Sequence, residues 1–357
     1  MNFRWDYDWG LWAIALTLGF FGLFVLGSAA PSSGYVLRQG VWLALALFLA
    51  LAAQLLSKPR LFRLAPWLYL LSVVLLLAVL LVGREINGAR AWFVFGPLRF
   101  QPSEFAKLAL ALMLARVLAA RPLERLWDYA LPLAVAGLPI LLTAAEPDLG
   151  GAMVMAAMVA GMFFARGMPW RHLIAGAATL VVLFPTVLWP RLLPHQKERI
   201  LTALNPTRDP LGSGFQVIQS MIAVGSGGMT GKGYGQGTQS QLGFVPFRHT
   251  DFIFAVVAEE MGFVGAFGLL LAYGVLFWRL IALALSLPYL EDRLLVAGIF
   301  SMLAFQVLVN VGVTLGVAPV TGITLPFVSY GGTSLVTVML AVGLVELVYR
   351  DRLLRVL

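Results

Sequence analysis

The chain has 357 residues, 60% hydrophobic and only 12% charged, with three His and no Cys. A mean hydropathy of +0.89 lies far outside the range of soluble globular domains and marks a membrane protein. Disulfides and thiolate metal sites are excluded, and the net charge of +8 is scattered over short loops with no basic stripe of interleaved aromatics, which argues against nucleic acid as a partner.

The N-terminal "MNFRWDYDWG" carries two aspartates, and no small-residue cleavage site follows it, so the first apolar run reads as a membrane helix rather than a signal peptide. A crossing needs about 20 apolar residues. Ten runs of that kind follow in order, near 11–30, 41–56, 67–83, 101–120, 130–145, 149–166, 172–189, 252–285, 294–316 and 334–349. The predicted fold is all-α: a polytopic integral membrane protein with about ten transmembrane helices, residues 1–357 forming one membrane domain. The eighth run, about 34 residues, is too long for a simple crossing and is expected to extend beyond the bilayer or to tilt.

Ten crossings put both termini on one side. Short segments on that side hold fourteen Lys and Arg, among them Lys58, Arg116, Arg166 and Arg350; those on the other side hold five, Arg38, Arg84, Arg90, Arg99 and Lys107. The positive-inside rule makes both ends cytoplasmic. Residues 190–251 then form one large extracytoplasmic loop, which runs from "PRLLPHQKERILTALNPTRDP" through the amphipathic "GFQVIQSMIAV" to the glycine-rich "GSGGMTGKGYGQGTQSQLG". A loop of this length is expected to carry short helices lying on or dipping into the membrane face. No internal repeat of the inverted-transporter kind is visible.

The glycine-rich stretch around Lys232 is not a Walker A loop, because Ser226 and Gly233 occupy positions where that motif needs Gly and Ser or Thr. It reads as a flexible connection, with the lining of a substrate groove as the alternative. His172, His195 and His249 show no metal-ligand spacing and read as surface or interfacial. No GxSxG elbow supports a hydrolytic triad.

Carboxylates inside apolar segments are costly and mark function. Glu104 and Lys107 in "QPSEFAKLAL" share a helix face at i, i+3, either as a structural ion pair or as catalytic groups. Glu146 and Asp148 in "TAAEPDLGGAM" sit between the fifth and sixth helices, where Asp148 is also a natural N-cap. Asp251 either caps the eighth helix or belongs to an ionisable cluster with Arg248 and His249; of Glu259 and Glu260, at least one faces the bundle interior. Near the C-terminus, Pro319, Gly322, Pro326, Gly331 and Gly332, with polar Asn310, Thr324, Ser329, Thr333 and Ser334, predict broken or re-entrant backbone lining a cavity.

The segments "RAWFVFGPLRFQPSEFAKL", "EPDLGGAM", "GTQSQLGFVPFRHTDFIFAVVAEEMGFVG" and "GITLPFVSYGGTSL" resemble, in order and spacing and over essentially the whole chain, the SEDS family of shape, elongation, division and sporulation proteins. "GTQSQL" and the short tails resemble its elongation branch. The resemblance implies a peptidoglycan glycosyltransferase of the bacterial cytoplasmic membrane. Such an enzyme polymerises lipid II, the undecaprenyl-diphosphate-linked disaccharide-pentapeptide, at the outer face during cell elongation. It works with a class B penicillin-binding protein transpeptidase and other elongation-complex membrane proteins. The family's essential aspartate falls on Asp251, its buried acid and lysine on Glu104 and Lys107, and another sensitive acid on Asp148. The position before Arg248 is usually Glu in the family and is Phe247 here, so a contact made by that acid is absent or relocated.

On this reading Asp251 is the general base toward the acceptor hydroxyl, and the reaction inverts the anomeric centre. Arg248, Arg191, Lys197, Arg199 and Lys107, or a divalent cation (Mg or Mn), would stabilise the departing diphosphate. His249, Ser329, Gly331 and Gly332 complete the supporting set. Two readings compete with it. A proton-coupled lipid II flippase would need access to both leaflets, whereas the acids singled out above, unlike Glu346, cluster toward the outer half or outer face; an inert scaffold for the transpeptidase would leave Asp251 dispensable.

Overall fold

The computed structural model describes residues 7–31, 34–86, 88–96, 98–206 and 212–354; the side chains of Arg4, His195, Arg352 and Arg355 lie outside them. In chain order come α1 (Trp9–Ala29), α2 (Tyr35–Ala53), α3 (Lys58–Val82), the strands β1 (Arg84–Ile86), β2 (Ala89–Phe95) and β3 (Leu98–Phe100), then α4 (Pro102–Ala119), α5 (Ala130–Ala145), α6 (Leu149–Ala165) and α7 (Trp170–Leu183). The long loop contributes α8 (Trp189–Arg191), α9 (Pro194–Leu204), α10 (Ser213–Ser226) and α11 (Thr238–Gln241), and the chain closes with α12 (Ile253–Ser286), α13 (Leu290–Thr314) and α14 (Gly332–Leu354).

Helices stand at all ten apolar runs. Among the described residues, eight are long and apolar enough to cross a membrane, and α6, at 17 residues, is a shorter apolar helix. The tenth, α4, carries Glu104, Lys107 and Arg116 and could not face lipid. It does not have to, because α3, α5, α6, α13 and α14 enclose it and fourteen of its 18 residues are buried. Between such helices, contact rests on van der Waals packing rather than on escape from water. The outer helices show the opposite pattern: α3 turns Leu70, Leu71, Val74 and Leu77 outward, as a lipid-facing stripe should.

Two features differ from the sequence expectation. The first is the segment 84–100, a polar break in the hydropathy pattern, which forms a three-stranded antiparallel sheet in the order β1-β2-β3. Its strands are too short to register in a search for crossings, although "ARAWFVF" alternates as an amphipathic strand does. The second is the eighth run, which is not one continuous helix. At Gly262 the backbone turns to φ 65, ψ −163 and splits α12 in two. Residues 253–260 are buried beneath the loop, and the 24 residues of 263–286 span about 36 Å, enough for the crossing.

That break exposes backbone groups which must find partners, and the glycine-rich stretch supplies them. Lys232 N and Gly233 N donate to the Glu259 and Glu260 carbonyls at 3.0 and 2.9 Å, while Phe263 N and Val264 N donate to the Gly228 and Met229 carbonyls at 2.8 and 3.1 Å. Gly231, at φ 81, lies so close to the Glu260 carbonyl that no Cβ fits. The stretch is therefore a fitted splint on α12 and not a flexible connection. Glu259 and Glu260 are both buried and anchor it. Glu259 accepts from Lys232 Nζ at 2.7 Å, Gln239 N at 2.8 Å, and Ser240 N and Oγ at 2.9 and 2.6 Å. Glu260 accepts from Ser28 Oγ at 2.5 Å and Gln241 Nε2 at 3.0 Å, which joins the end of α1 to α11.

Candidate active site

Residues 247–252 form the turn that enters α12, and the loop between α13 and α14 braces it. Tyr330 N donates to the His249 carbonyl at 2.8 Å, Ser329 Oγ to the Thr250 carbonyl at 2.6 Å, and Asn310 Nδ2 to the Asp251 carbonyl at 2.9 Å. Three successive carbonyls are thus fixed from one side. The brace is itself held: Leu325 N donates to Ser329 Oγ at 2.8 Å, Asn310 Nδ2 also donates to the Ile323 carbonyl at 2.8 Å, and the Gln39 side chain spans the Ser329 carbonyl and Gly331 N at 3.0 and 3.2 Å. Gly332 lies under the Trp42 indole, where a Cβ has no room. Phe247 and Phe327 take positive φ of 52 and 67, one in the turn and one in its brace, strain that only well-determined surroundings maintain.

This scaffold leaves the Asp251 carboxylate half-buried. Burial pushes its pKa up to about 6, against the pull of a Thr250 hydrogen bond and the charge of Arg199. At neutral pH the group is largely ionised, yet it is far more basic than a solvated aspartate. His249 stacks on Tyr35 at 4.9 Å, and Tyr35 stacks in turn on Tyr330 at 4.4 Å. Burial, then the Arg248 charge, hold the His249 pKa below its usual value, so the ring is neutral at pH 7. Arg248 anchors its Nε on the Ala29 carbonyl at 2.5 Å and borders a cleft of about 480 Å³ lined also by Pro31, Tyr35, Gln241, Gly243 and Phe247. Phe247, which lines it, and its chain neighbours Leu242 and Phe244 are exposed apolar side chains.

A second polar cluster stands at the loop-side ends of α4, α5 and α6. Lys107 Nζ meets Glu104 Oε1 at 2.8 Å with both residues buried, and Glu104 Oε2 has no partner among the described residues. Asp148 caps α6 by accepting from Gly151 N at 2.8 Å, and its other oxygen takes Gln101 Nε2 at 2.9 Å and Ser103 Oγ at 3.3 Å. The natural-cap reading of Asp148 therefore holds, but burial still raises its pKa although Gly151, Lys107 and Ser103 pull the other way. Beside it Glu146 is fully buried with neither oxygen bonded among the described residues, and burial, then the Asp148 charge, push it to about 8, so it carries a proton at neutral pH. The re-entrant loop touches both clusters, because the Thr321 carbonyl packs on Gly150 at the start of α6 while Asn310 holds Ile323 and Asp251.

Most of the sequence-predicted residues therefore fall into two groups joined by one loop: Arg248, His249, Asp251, Ser329, Gly331 and Gly332 in the first, Glu104, Lys107 and Asp148 in the second. Arg199, on α9, acts on Asp251 through its charge. Arg191 and Lys197 are not brought in: Arg191 is exposed on the single turn of α8, and Lys197 Nζ turns back to the Pro190 carbonyl at 3.3 Å. Sequence reasoning passed over Gln39 and Gln101. Gln39 left a signal, a lone amide in the apolar run of α2 that is 2% exposed in the fold.

Fold and site together define a polytopic helical membrane protein whose long loop delivers an underpaired carboxylate to one face of the bundle. The chain belongs to the cell cycle protein family FtsW/RodA/SpoVE, whose model matches residues 8–353. It is similar to peptidoglycan glycosyltransferase MrdB of Escherichia coli K12, 43% identical over 290 residues that cover 81% of this chain and 78% of that protein. Among solved structures it resembles a chain from work on the structural coordination of polymerization and crosslinking by a peptidoglycan synthase complex, with TM-score 0.87, 53% identity and coverage of 98% of this chain and 99% of that one. It also resembles the rod shape determining protein RodA of Thermus thermophilus, with TM-score 0.77, 46% identity and coverage of 98% and 99%. The rod-shape relative agrees with the elongation-branch motifs.

Proposed function

We propose that this peptidoglycan glycosyltransferase polymerises lipid II at the outer face of the bacterial cytoplasmic membrane, with both of its termini in the cytoplasm and Asp251 as general base. The observation that carries the assignment is the state of the Asp251 carboxylate: fixed by a braced turn, half-buried and short of compensating charge. A group with those properties is poised to take a proton near neutral pH.

In the step proposed, the acceptor sugar hydroxyl attacks the anomeric carbon of the donor. Its proton passes to an Asp251 Oδ, the new C–O bond forms, and the anomeric C–O bond to phosphate breaks, its electron pair leaving with undecaprenyl diphosphate. Direct displacement inverts the centre and needs no covalent intermediate. Arg248, beside the cleft, and Arg199, already felt by Asp251, are the cations best situated to meet the leaving diphosphate. The exposed Phe244, Phe247 and Leu242 suit the first isoprene units of the carrier.

Among the described residues no three His, Asp or Glu side chains form a metal cluster, but a cation carried by a diphosphate needs only one or two protein oxygens. Glu104 Oε2, buried with no partner among the described residues, is the oxygen that would meet it, and Mg or Mn there would neutralise phosphate charge. A class B penicillin-binding protein is the transpeptidase partner proposed, on the likeness to a chain of a complex that couples polymerization to crosslinking.

The test gives lipid II to the purified protein in proteoliposomes, with and without the transpeptidase, and resolves glycan strands on a gel. Polymer from wild type and a loss of about 10²- to 10⁴-fold in Asp251→Asn is the expected result. Equal polymer from both removes Asp251 as base, and labelled lipid II crossing the membrane without polymer would replace the enzyme reading by transport.

A further inference from the structure

The hairpin of β1, β2 and β3 takes no part in the step above, and its two faces differ sharply. Pairing sets Arg84 opposite Trp92, Glu85 opposite Arg90 and Arg99 opposite Val94. Side chains alternate along a strand and cross-strand partners share a face, so Arg90, Trp92 and Arg99 lie together; a register shift between Arg84 and Glu85 brings both of these to the same face, Glu85 being the one acid there. The opposite face presents buried Ala91 and the Phe93–Phe100 pair, and β2 packs on α3 and α4.

All three arginines are exposed, and among the described residues none of their side chains enters a hydrogen bond or ion pair. The hairpin starts one residue beyond α3, an apolar helix long enough to cross a membrane, whose last residues Leu81 and Val82 are 79% and 74% exposed. The guanidinium groups therefore emerge where hydrocarbon gives way to headgroups, the level at which tryptophan also settles. With the outward orientation proposed above, on which this inference rests, the side that should be poor in Lys and Arg concentrates three of its five short-segment cations on one small surface. Exposed unpaired cations at a bilayer surface recognise anionic phosphate.

We propose that the outer face of this hairpin binds the phosphate of anionic phospholipid headgroups. The contact fixes more than the hairpin. β3 runs directly into Gln101 and α4, which supply the Gln101 and Ser103 bonds to Asp148 and the Glu104–Lys107 pair. A bound headgroup thus steadies the strand that holds the second polar cluster, and bilayer composition is felt there.

The test compares the full chain with the triple variant Arg84→Gln, Arg90→Gln, Arg99→Gln and with the corresponding triple Lys variant, in nanodiscs of phosphatidylcholine doped with phosphatidylglycerol, reading retained lipid by native mass spectrometry. Each arginine removed is expected to lower phosphatidylglycerol retention about fivefold, on the order of a hundredfold for three, with the Lys variant restoring most of it. Polymerisation by wild type should be faster in phosphatidylglycerol vesicles than in phosphatidylcholine, and by the Gln variant equal in both. Equal retention by wild type and Gln variant overturns the proposal. So does a Gln variant that keeps phosphatidylglycerol yet loses polymerisation in both vesicles, which would give the face to the substrate's diphosphate. Lipid retention is read without turnover, so it stands or falls separately from the glycosyltransferase reading.

Discussion

Both ends of the helical bundle hold buried ionisable groups, and most of them are partnered differently at the two ends. The exceptions are Glu259, fully bonded at the loop end, and Asp292 Oδ1 and Glu346 Oε2, without partners among the described residues at the other. At the end carrying the termini, Lys58 meets Asp292 at 2.7 Å and Glu291 at 3.3 Å and lies over the Tyr289 ring at 3.9 Å. Asp8 pairs with Arg279 at 3.1 Å, caps Leu11 N, and donates its own N–H to Glu346 Oε1 at 2.7 Å. Arg116, Arg166 and Arg350 donate to the carbonyls of Phe62, Leu118 and Gln54. At the loop end, Asp251 has a Thr250 hydrogen bond and the charge of Arg199, Glu146 has no hydrogen-bond partner among the described residues, and Glu104 is paired through one oxygen. A charge surrounded by fixed partners tethers helices and resists changing its protonation; one left short of partners pays in stability and gains reactivity. The contrast separates a clamp from a site more sharply than the mere presence of buried acids does.

The largest effect that could break this contrast is on Asp251. Its folded pKa of about 6 lies above the ordinary 3.8, so its stabilising contribution is complete below about pH 4 and is lost as pH rises through 6. Asp251→Asn, which abolishes most turnover, should therefore unfold at a higher temperature than wild type at pH 8, by about 2 kcal/mol in stability, and at the same temperature at pH 4. A variant less stable than wild type at pH 8 would make Asp251 a clamp like Asp8. The mirror experiment is Lys58→Met. Leaving Asp292 buried without its partner should cost about 3–5 kcal/mol, seen as earlier thermal unfolding, while polymer formed per folded molecule stays at the wild-type level. A proportionate loss of turnover would mean that the clamp end also takes part in the chemistry.

A smaller effect is the pH profile of wild type. With Asp251 required as carboxylate, kcat should climb about tenfold per pH unit below 6 and level off above 7. A profile flat from pH 5 to 8 would detach the rate from this group.

Much of the bundle was legible because crossing a bilayer imposes a length that apolar runs display, and all ten helices stand where those runs do. Charge motifs were legible for a related reason: Glu104, Lys107 and Asp251 sit where composition makes charge expensive. What stayed hidden depends on tertiary contact. The break at Gly262 follows two glutamates but no proline or polar gap that would divide the run, and the glycine-rich stretch reads as slack until the Glu259 and Glu260 carbonyls are seen to need its N–H groups. Arg191 and Lys197 are near the site in sequence, which says nothing about which face of a short helix meets the cleft. The hairpin escaped because three- to seven-residue strands leave no mark on a scale tuned to 20-residue crossings.

The finest test of the contrast uses two braces in place of two charges. Ser329 Oγ links Leu325 N to the Thr250 carbonyl at the loop end; Gln54 Nε2, equally buried, reaches the Gly343 carbonyl at 2.5 Å at the other. Ser329→Ala and Gln54→Ala each strand buried backbone groups and should lose about 1–3 kcal/mol of stability, a similar amount for both. Only the loop-end brace positions a reacting group, and small displacements of such a group slow turnover steeply. Ser329→Ala is therefore expected to lower kcat about tenfold, with the pH midpoint still near 6 because the carboxylate keeps its burial, whereas Gln54→Ala leaves kcat unchanged. Equal kcat in the two variants at matched stability would mean that the braced turn serves folding alone, and the distinction between the two ends would rest on Asp251 by itself.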